Sequence, residues 1–280
     1  RPADIVVSVR EGSVDFGVAG FDVVAERRGN DGDVMVLHDA LGFGGCMLSL
    51  AVPEAWTDVQ EVGDLQKKAK SLSAPLRVAT KYPVLTGRFL QERGITAELI
   101  SAEGTLETAP TIGYADMICD IVSSGQTLRD NRLRPLKGGM VVKSESVLIA
   151  NRRSLMENPK ALDTARTLLE FFEAHLRADR NLAIFANIRG DSPESIAERI
   201  FNECDISGLQ GPTVSRVVVR EQEQNWYAVN IIVQRNQIIQ AIRELRAIGG
   251  SGVVAMPITY IFDEEPARIT AMLQALGRKD

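Results

Sequence analysis

Residues 114–128, Tyr114-Ala115-Asp116-Met117-Ile118-Cys119-Asp120-Ile121-Val122-Ser123-Ser124-Gly125-Gln126-Thr127-Leu128, decide how this chain is read. Their first half alternates acidic and apolar residues, as a strand packed against helices does. Their second half is a run of small hydroxyl residues around a glycine. Asp120 lies near the strand's exit, and the residues after it can cradle an anion. Gly125 lets backbone N–H groups close on a phosphate, and Ser123, Ser124 and Thr127 add side-chain donors. If Leu128 begins a helical turn, its unpaired N–H groups point the same way. A carboxylate just upstream can take the hydroxyls of a ribose attached to that phosphate. The stretch therefore predicts a phosphoribose site, although the same residues also suit a plain strand-to-helix turn.

Composition narrows the class. The 280 residues are 45% hydrophobic and 25% charged, which suits about two domains or three small ones. A net charge of -5 argues against nucleic acid as a partner, since such proteins show a basic face. Cys46, Cys119 and Cys204 are far apart, so neither a zinc site nor a disulfide framework is expected. A reducing compartment is the simpler reading. His38 and His175 are the two histidines, too few for a His-based metal cluster, and both read as structural. No apolar run reaches the roughly 18 residues of a membrane span, and no signal peptide precedes Arg1. The expectation is a soluble, intracellular chain.

Outward from the opening stretch, strands and helices alternate. Residues 2–10 predict a helix, 11–20 a turn and a small-residue strand, and 21–26 a second helix. Glycine at such a strand's end admits a ligand to the backbone, but tight strand–helix packing explains it as well. A strand at 33–37 is followed by an apolar one at 41–53. Its glycines suggest a crossing between two lobes or a close backbone approach. Cys46 has no histidine partner and reads as a packed small residue. Next come a strand at 76–80, a helix at 82–93 with Pro83 in its first turn and Gly94 at its end, and a strand at 95–100. Residues 106–111 predict a short turn, in which Glu107 is either a second carboxylate facing the phosphoribose or a solvated charge. A strand at 140–150 returns to the first lobe. A helix at 161–178 carries Leu162, Ala165, Leu168, Leu169, Phe172 and Leu176 on one face. Two α/β lobes around a cleft are expected. From 181 the order becomes βαββαβ, with strands at 182–188, 213–219, 226–233 and 252–261 and helices at 193–204 and 237–248. That is the split ferredoxin-like unit, and 266–276 adds one helix.

Glu103-Gly104-Thr105-Leu106-Glu107-Thr108-Ala109-Pro110, then Ala115-Asp116 through Thr127-Leu128, resembles the phosphoribosyl-diphosphate motif of the ATP phosphoribosyltransferase family. The likeness runs along nearly the whole chain. Asp15-Phe16-Gly17-Val18-Ala19-Gly20 is similar to the family's Asp-Leu-Gly-Ile-x-Gly stretch, part of its nucleotide pocket. Gly44-Gly45-Cys46-Met47-Leu48-Ser49-Leu50-Ala51 resembles its Gly-x-Cys-Arg-Leu-Ser-Leu-Ala block on the adenine side, with Met47 where arginine is usual. Arg77-Val78-Ala79-Thr80-Lys81-Tyr82-Pro83 looks like a stretch of its second lobe.

The resemblance implies an α/β fold. A two-lobed, periplasmic-binding-protein-like (type II) catalytic core carries a ferredoxin-like (ACT-like) βαββαβ domain at its C-terminal end. Lobe I would take 1–35 and 144–179, lobe II 36–143, and the regulatory domain 180–280. The implied reaction is attack of ATP's adenine N1 on C1 of phosphoribosyl diphosphate, releasing pyrophosphate, as the first step of histidine biosynthesis. Asp120 and Glu107 would be the catalytic carboxylates, with Ser123, Ser124, Gly125, Gln126 and Thr127 around the 5-phosphate. Gly20, Asp22, Cys46 and Leu48 would meet ATP. Histidine, the feedback inhibitor, would touch Leu209, Thr213, Ser251 and Gly252. Mg²⁺ as cofactor, a homo-hexamer built from dimers, and a cytoplasmic or plastid location are implied too. The family opens with a strand, a basic phosphate loop and a helix ahead of the stretch matched by Arg1, and these are absent from this sequence. No covalent nucleophile is required, in keeping with the lack of a Ser–His or Cys–His constellation. The competing expectation is a binding module whose two lobes clamp a small anion and only report it.

Overall fold

A computed structural model describes residues 1–280 except 102–103, 123–124, 207, 210, 220–224 and 279–280. Helix α1 (Pro2–Arg10) opens on proline, whose missing N–H is lost to no partner at that position. Then come β1 (Phe16–Gly20), α2 (Phe21–Arg27) and β2 (Val34–His38). The next elements are β3 (Cys46–Pro53), α3 (Val62–Ser71), β4 (Leu76–Thr80), α4 (Pro83–Glu92), β5 (Ala97–Ser101), a 3-10 turn at Leu106–Thr108 and β6 (Met117–Val122). They are followed by α5 (Gln126–Asp130), β7 (Leu133–Ser144), β8 (Ser146–Asn151), α6 (Arg152–Glu157) and α7 (Pro159–Asp179). The chain divides into two units, Arg1–Arg166 with Arg268–Asp280, and Thr167–Ala267.

The first unit holds two sheets. The small one has the order β1-β8-β2, with β8 antiparallel to both neighbours. All six residues of β8 are buried, as its unbroken Ser-Val-Leu-Ile-Ala-Asn run demands of a central strand. Asn151 at its end accepts from Ser154 N at 2.8 Å, capping α6, and donates to Val9 O at 2.8 Å, pinning α1. The large sheet has the order β5-β4-β6-β3-β7. Strands β4, β5 and β6 are parallel and β3 is antiparallel to β6, the arrangement expected of the two-lobed type II core. Leu48, Leu50, Leu65, Leu76 and Met117 form its core at zero exposure. Each such side chain contributes about 1.5–3 kcal/mol.

Three of the differences from the sequence reading bear on how the chain divides. The strand expected at 140–150 is two strands broken at Glu145, β7 in the large sheet and β8 in the small one. The first lobe does not end at 35, because β2 pairs with β8 as far as His38. The chain crosses between lobes at 39–45, beside the second crossing. There Leu41 N donates to Ser146 O at 2.9 Å and Ser146 N to Phe43 O at 3.0 Å. The C-terminal helix groups with the first unit rather than with the ferredoxin-like one. Arg152 donates to Ala275 O, Arg278 donates to Met156 O at 2.6 Å, and Arg268 pairs with Asp39.

The second unit has β9 (Asn181–Arg189), α8 (Pro193–Glu203), β10 (Thr213–Val217), β11 (Trp226–Gln234), a 3-10 turn at Arg235–Gln237, α9 (Ile238–Ala247) and β12 (Ser251–Pro257). Helix α10 (Ala267–Ala275) follows. The four strands form one antiparallel sheet in the order β10-β11-β9-β12, the βαββαβ unit read from the sequence. Its core is aliphatic apart from Tyr227: Ile184, Ile188, Ile196, Ile200, Val229, Ile231 and Leu245 among others.

Candidate functional site

The parallel strands β4, β5 and β6 end at Thr80, Ser101 and Val122, so Lys81, Ser101 and the loop after Val122 share one edge of the large sheet. Open α/β sheets bind ligands at that edge. A cavity of about 270 Å³ lies there, lined by Lys81, Tyr82 and Ser101 with Ala3, Val23, Glu26, Arg27 and Arg1. Asp120 sits one strand over, half-buried, its Oδ1 accepting from Ile121 N at 2.8 Å. Burial pushes its carboxyl above the ordinary value; that backbone bond and the Lys81 charge oppose this, and the Glu107 charge adds to it. Lys81 and Glu107 therefore both act on Asp120. Gly125 adopts a left-handed backbone (φ +69°) at the N-cap of α5, a conformation few other residues take without strain. Gln126 and Thr127 follow on α5 and are exposed, with Gln126 bonded to Asp130 at 2.6 Å and to Arg129 at 2.9 Å. Ser123 and Ser124 lie outside the described residues.

The residues expected to meet ATP divide. Gly20 ends β1 and precedes α2. A side chain there would press its Cβ to 2.4 Å from Asp22 Oδ1 and push that carboxylate from its bonds to Ser144 and Tyr82. Asp22 is 5% exposed yet well partnered: Ser144 Oγ donates to it at 2.5 Å and Tyr82 Oη at 2.6 Å. Asp22 N donates in return to Ser144 Oγ at 3.0 Å. Cys46 is half-buried beside them. Burial and the Asp22 charge push its thiol up, with Ser144 opposing, so it stays neutral and is not a nucleophile. Leu48 differs from these. It is fully buried within the large lobe's core, where its side chain packs rather than meeting a ligand.

Tyr82 joins the two halves. Burial, its bond to Asp22 and the charges of Asp22, Asp120 and Cys46 together push its hydroxyl far above its usual range, so it remains a donor. The sequence reading gave roles to Asp22, Cys46 and Asp120 but none to Tyr82, Lys81, Ser144 or Glu26. Lys81 was detectable as a cation one residue past a parallel strand. Ser144 and Glu26 carried no local signal, because their partners lie 122 and 58 residues away.

In the second unit Leu209 and Thr213 line a cavity of about 350 Å³ with Gly211, Asn230, Ile232, Ile261, Phe262 and Asp263. Asn230 Oδ1 is buried there without a hydrogen-bond partner. Ser251 and Gly252 are not part of it. They begin β12, the opposite edge strand from β10, where Ser251 Oγ donates to Asn187 O at 3.4 Å. Three strand spacings separate the two edges, about 14 Å. Leu209 and Thr213 are thus brought together, and Ser251 and Gly252 are held away from them within one chain. Among the described residues no group of three or more His, Cys, Asp or Glu could cage a metal, and no helix is long and apolar enough to cross a membrane.

Fold and site together define a two-lobed α/β protein whose cleft gathers carboxylates, hydroxyls and a cation, with a ferredoxin-like unit attached. The family model for ATP phosphoribosyltransferase matches residues 1–171, and that for the HisG C-terminal domain matches 178–260. The chain belongs to the ATP phosphoribosyltransferase family. ATP phosphoribosyltransferase 1, chloroplastic, of Arabidopsis thaliana is 41% identical over 99% of this chain and 69% of its own length. An ATP phosphoribosyltransferase of Methanocaldococcus jannaschii is 33% identical over 93% of this chain and 83% of its own. Among solved structures, the ATP phosphoribosyl transferase (HisG:HisZ) complex from Thermotoga maritima aligns with a TM-score of 0.49 at 24% identity. That alignment covers 62% of this chain and 77% of the other.

Proposed function

We propose that the first unit joins ATP to phosphoribosyl diphosphate, the reaction that opens histidine biosynthesis, and that histidine acting on the second unit inhibits it. Adenine N1 attacks C1 of the ribose as the C1–oxygen bond to pyrophosphate breaks, and pyrophosphate departs with that electron pair. The observation that carries this reading is Tyr82, which meets Asp22 directly and is influenced by both Cys46 and Asp120. A nucleotide half and a phosphoribose half thereby share one site. Asp120 takes the ribose hydroxyls, since its Oδ1 is already held and it sits at the strand exit. Gly125, Gln126 and Thr127 hold the 5-phosphate with Ser123 and Ser124, and Lys81 adds positive charge at the same edge. Catalysis rests on placing two anions and stabilising a cationic ribose centre, with no covalent intermediate.

The carboxylates Asp120 and Glu107 suit Mg²⁺, which takes one or two such ligands and otherwise keeps water and substrate phosphates. When bound, the ion neutralises the leaving pyrophosphate. The cavity beside Leu209 and Thr213 has the size of an amino acid, and its unpartnered Asn230 Oδ1 and the Asp263 carboxylate offer acceptors to an ammonium or imidazole N–H. Because Ser251 and Gly252 lie on the far edge of the sheet, one histidine touching all four residues needs two copies of the chain. This favours a homo-oligomer, and we take the hexamer as its form. The chloroplastic plant relatives favour a plastid location where the source has plastids, and the cytoplasm otherwise.

The test is an ultraviolet assay for the phosphoribosyl-ATP adduct on the full-length protein, with and without histidine. Adduct formation suppressed by histidine is expected. Formation indifferent to histidine would remove the regulatory role and leave the transferase. No adduct, with phosphoribosyl diphosphate still bound, would point instead to a module that only clamps the anion.

A further inference from the structure

Helix α2 presents two carboxylates four residues apart, Asp22 and Glu26, on one face. They are 5% and 8% exposed. Asp22 takes the Tyr82 hydroxyl at 2.6 Å. Glu26 accepts from Val84 N through one oxygen and from Leu85 N through the other, each at 2.9 Å. These donors belong to the first turn of α4, which has no side-chain cap of its own and whose first residue, Pro83, has no N–H. The free amides at that helix start are therefore satisfied from the small lobe. A buried carboxylate is expensive unless donors surround it, and helix N-terminal amides are favourable ones.

The residue ahead of that helix's N-cap, Tyr82, is Lys81, whose charge acts on Asp120. The turn between is stiff. Tyr82 N donates to Thr80 Oγ1 at 3.0 Å, and the Thr80 and Thr86 hydroxyls meet at 3.2 Å, both fully buried. A shift of the α4 start is thus carried to Lys81 and Tyr82. Glu26, Lys81 and Tyr82 all border the 270 Å³ cavity.

We propose that Glu26 is a positioning residue of the transferase site. By capping α4 from the opposite lobe it fixes Lys81 and Tyr82 over Asp120, and so sets the spacing between the nucleotide and phosphoribose halves. Its two oxygens are taken by amides, so its effect runs through α4. The inference rests on the proposed transferase reading.

The test is a double-mutant cycle of Glu26→Gln and Lys81→Ala on the full-length enzyme, with kcat and KM measured separately and folding followed by circular dichroism. Glu26→Gln should lower kcat/KM for phosphoribosyl diphosphate roughly tenfold to a hundredfold in the otherwise native enzyme. In the Lys81→Ala background the loss should be at least several-fold smaller, because one of the two residues it acts through is gone. An equal loss in both backgrounds would mean a general structural role and overturn the proposal, as would unchanged kinetics in a folded Glu26→Gln protein. If Glu26→Gln does not fold, the cycle is run with Glu26→Asp, which keeps the charge but withdraws it by one methylene, and the same outcomes decide. Failure of the unaltered enzyme to make the adduct would instead sink the transferase reading itself.

Discussion

The two units bury different things. Among the described residues, ten polar or charged side chains are buried, and nine lie in the first unit, with Asn181 alone in the second. Asp22, Glu26, Thr80, Thr86 and Ser144 sit around one cleft, each bonded to a neighbour. The second unit packs almost wholly aliphatic side chains between its sheet and α8 and α9. Burying polar groups costs stability unless every partner is supplied, and such networks hold a single geometry when it is. The first unit is therefore built for fixed placement, and the second for cohesion. In the second unit the cavity beside Leu209 and Thr213 lies at the edge strand β10, apart from that aliphatic core.

The sharpest way to break this comparison is a cavity in the second core. Ile200 is fully buried there, and Ile200→Ala should cost about 2–5 kcal/mol. Calorimetry should show a lowered transition, while kcat without histidine stays within about twofold of the native value. A collapse of basal kcat in the folded protein would show that the units do not divide their labour in this way. The next effect is in the cleft. Asp120→Ala removes a carboxylate acceptor whose hydrogen bonds are worth about 1.5–3 kcal/mol, so phosphoribosyl diphosphate affinity should fall roughly tenfold to a hundredfold. Because burial of Asp120 is itself unfavourable, the melting temperature should not drop. Unaltered affinity by titration calorimetry would remove its ribose role.

The smallest effect concerns Asp116, which accepts from Arg77 Nη2 at 2.7 Å and from Arg77 N at 2.8 Å. Burial works to raise its carboxyl, but these bonds prevail and hold it below the usual range. A depressed folded value gives stability that is present above the unfolded value of about 3.9 and lost as pH falls through the folded one. The acid limb of a stability–pH curve should therefore be shallower in Asp116→Asn than in the native chain, with the two differing at neutral pH and converging at low pH. Parallel curves would show that the ion pair does nothing.

Much of this was legible locally. The strand that carries Asp120 and the glycine turn at Gly125 announce themselves because a strand, a carboxylate and a glycine follow one another within eight residues. The βαββαβ order was legible because each element has its own period. Other parts were hidden for physical reasons. Pro135, Gly138 and Gly139 argue against a strand, yet β7 carries all three because it is the sheet's edge, where a missing donor faces no neighbour. The burial of the Leu48 side chain was hidden because residues 48–52 of β3 are buried on both faces, leaving no alternation to mark a core side. Glu26 reads as an ordinary helical charge, since nothing near it announces the amides it caps.

The two chain crossings, at 39–45 and at Glu145, lie side by side and are bonded through Leu41, Phe43 and Ser146. Mechanically they are one pin. Lys81, Tyr82, Asp120 and Gly125 all ride on the large sheet's side of it, and Gly20, Asp22 and Glu26 on the other. Across from it, Asp22 bonds to Tyr82 and Ser144, and Glu26 to the first amides of α4. Two carboxylates on a single helix therefore tie the two lobes to each other.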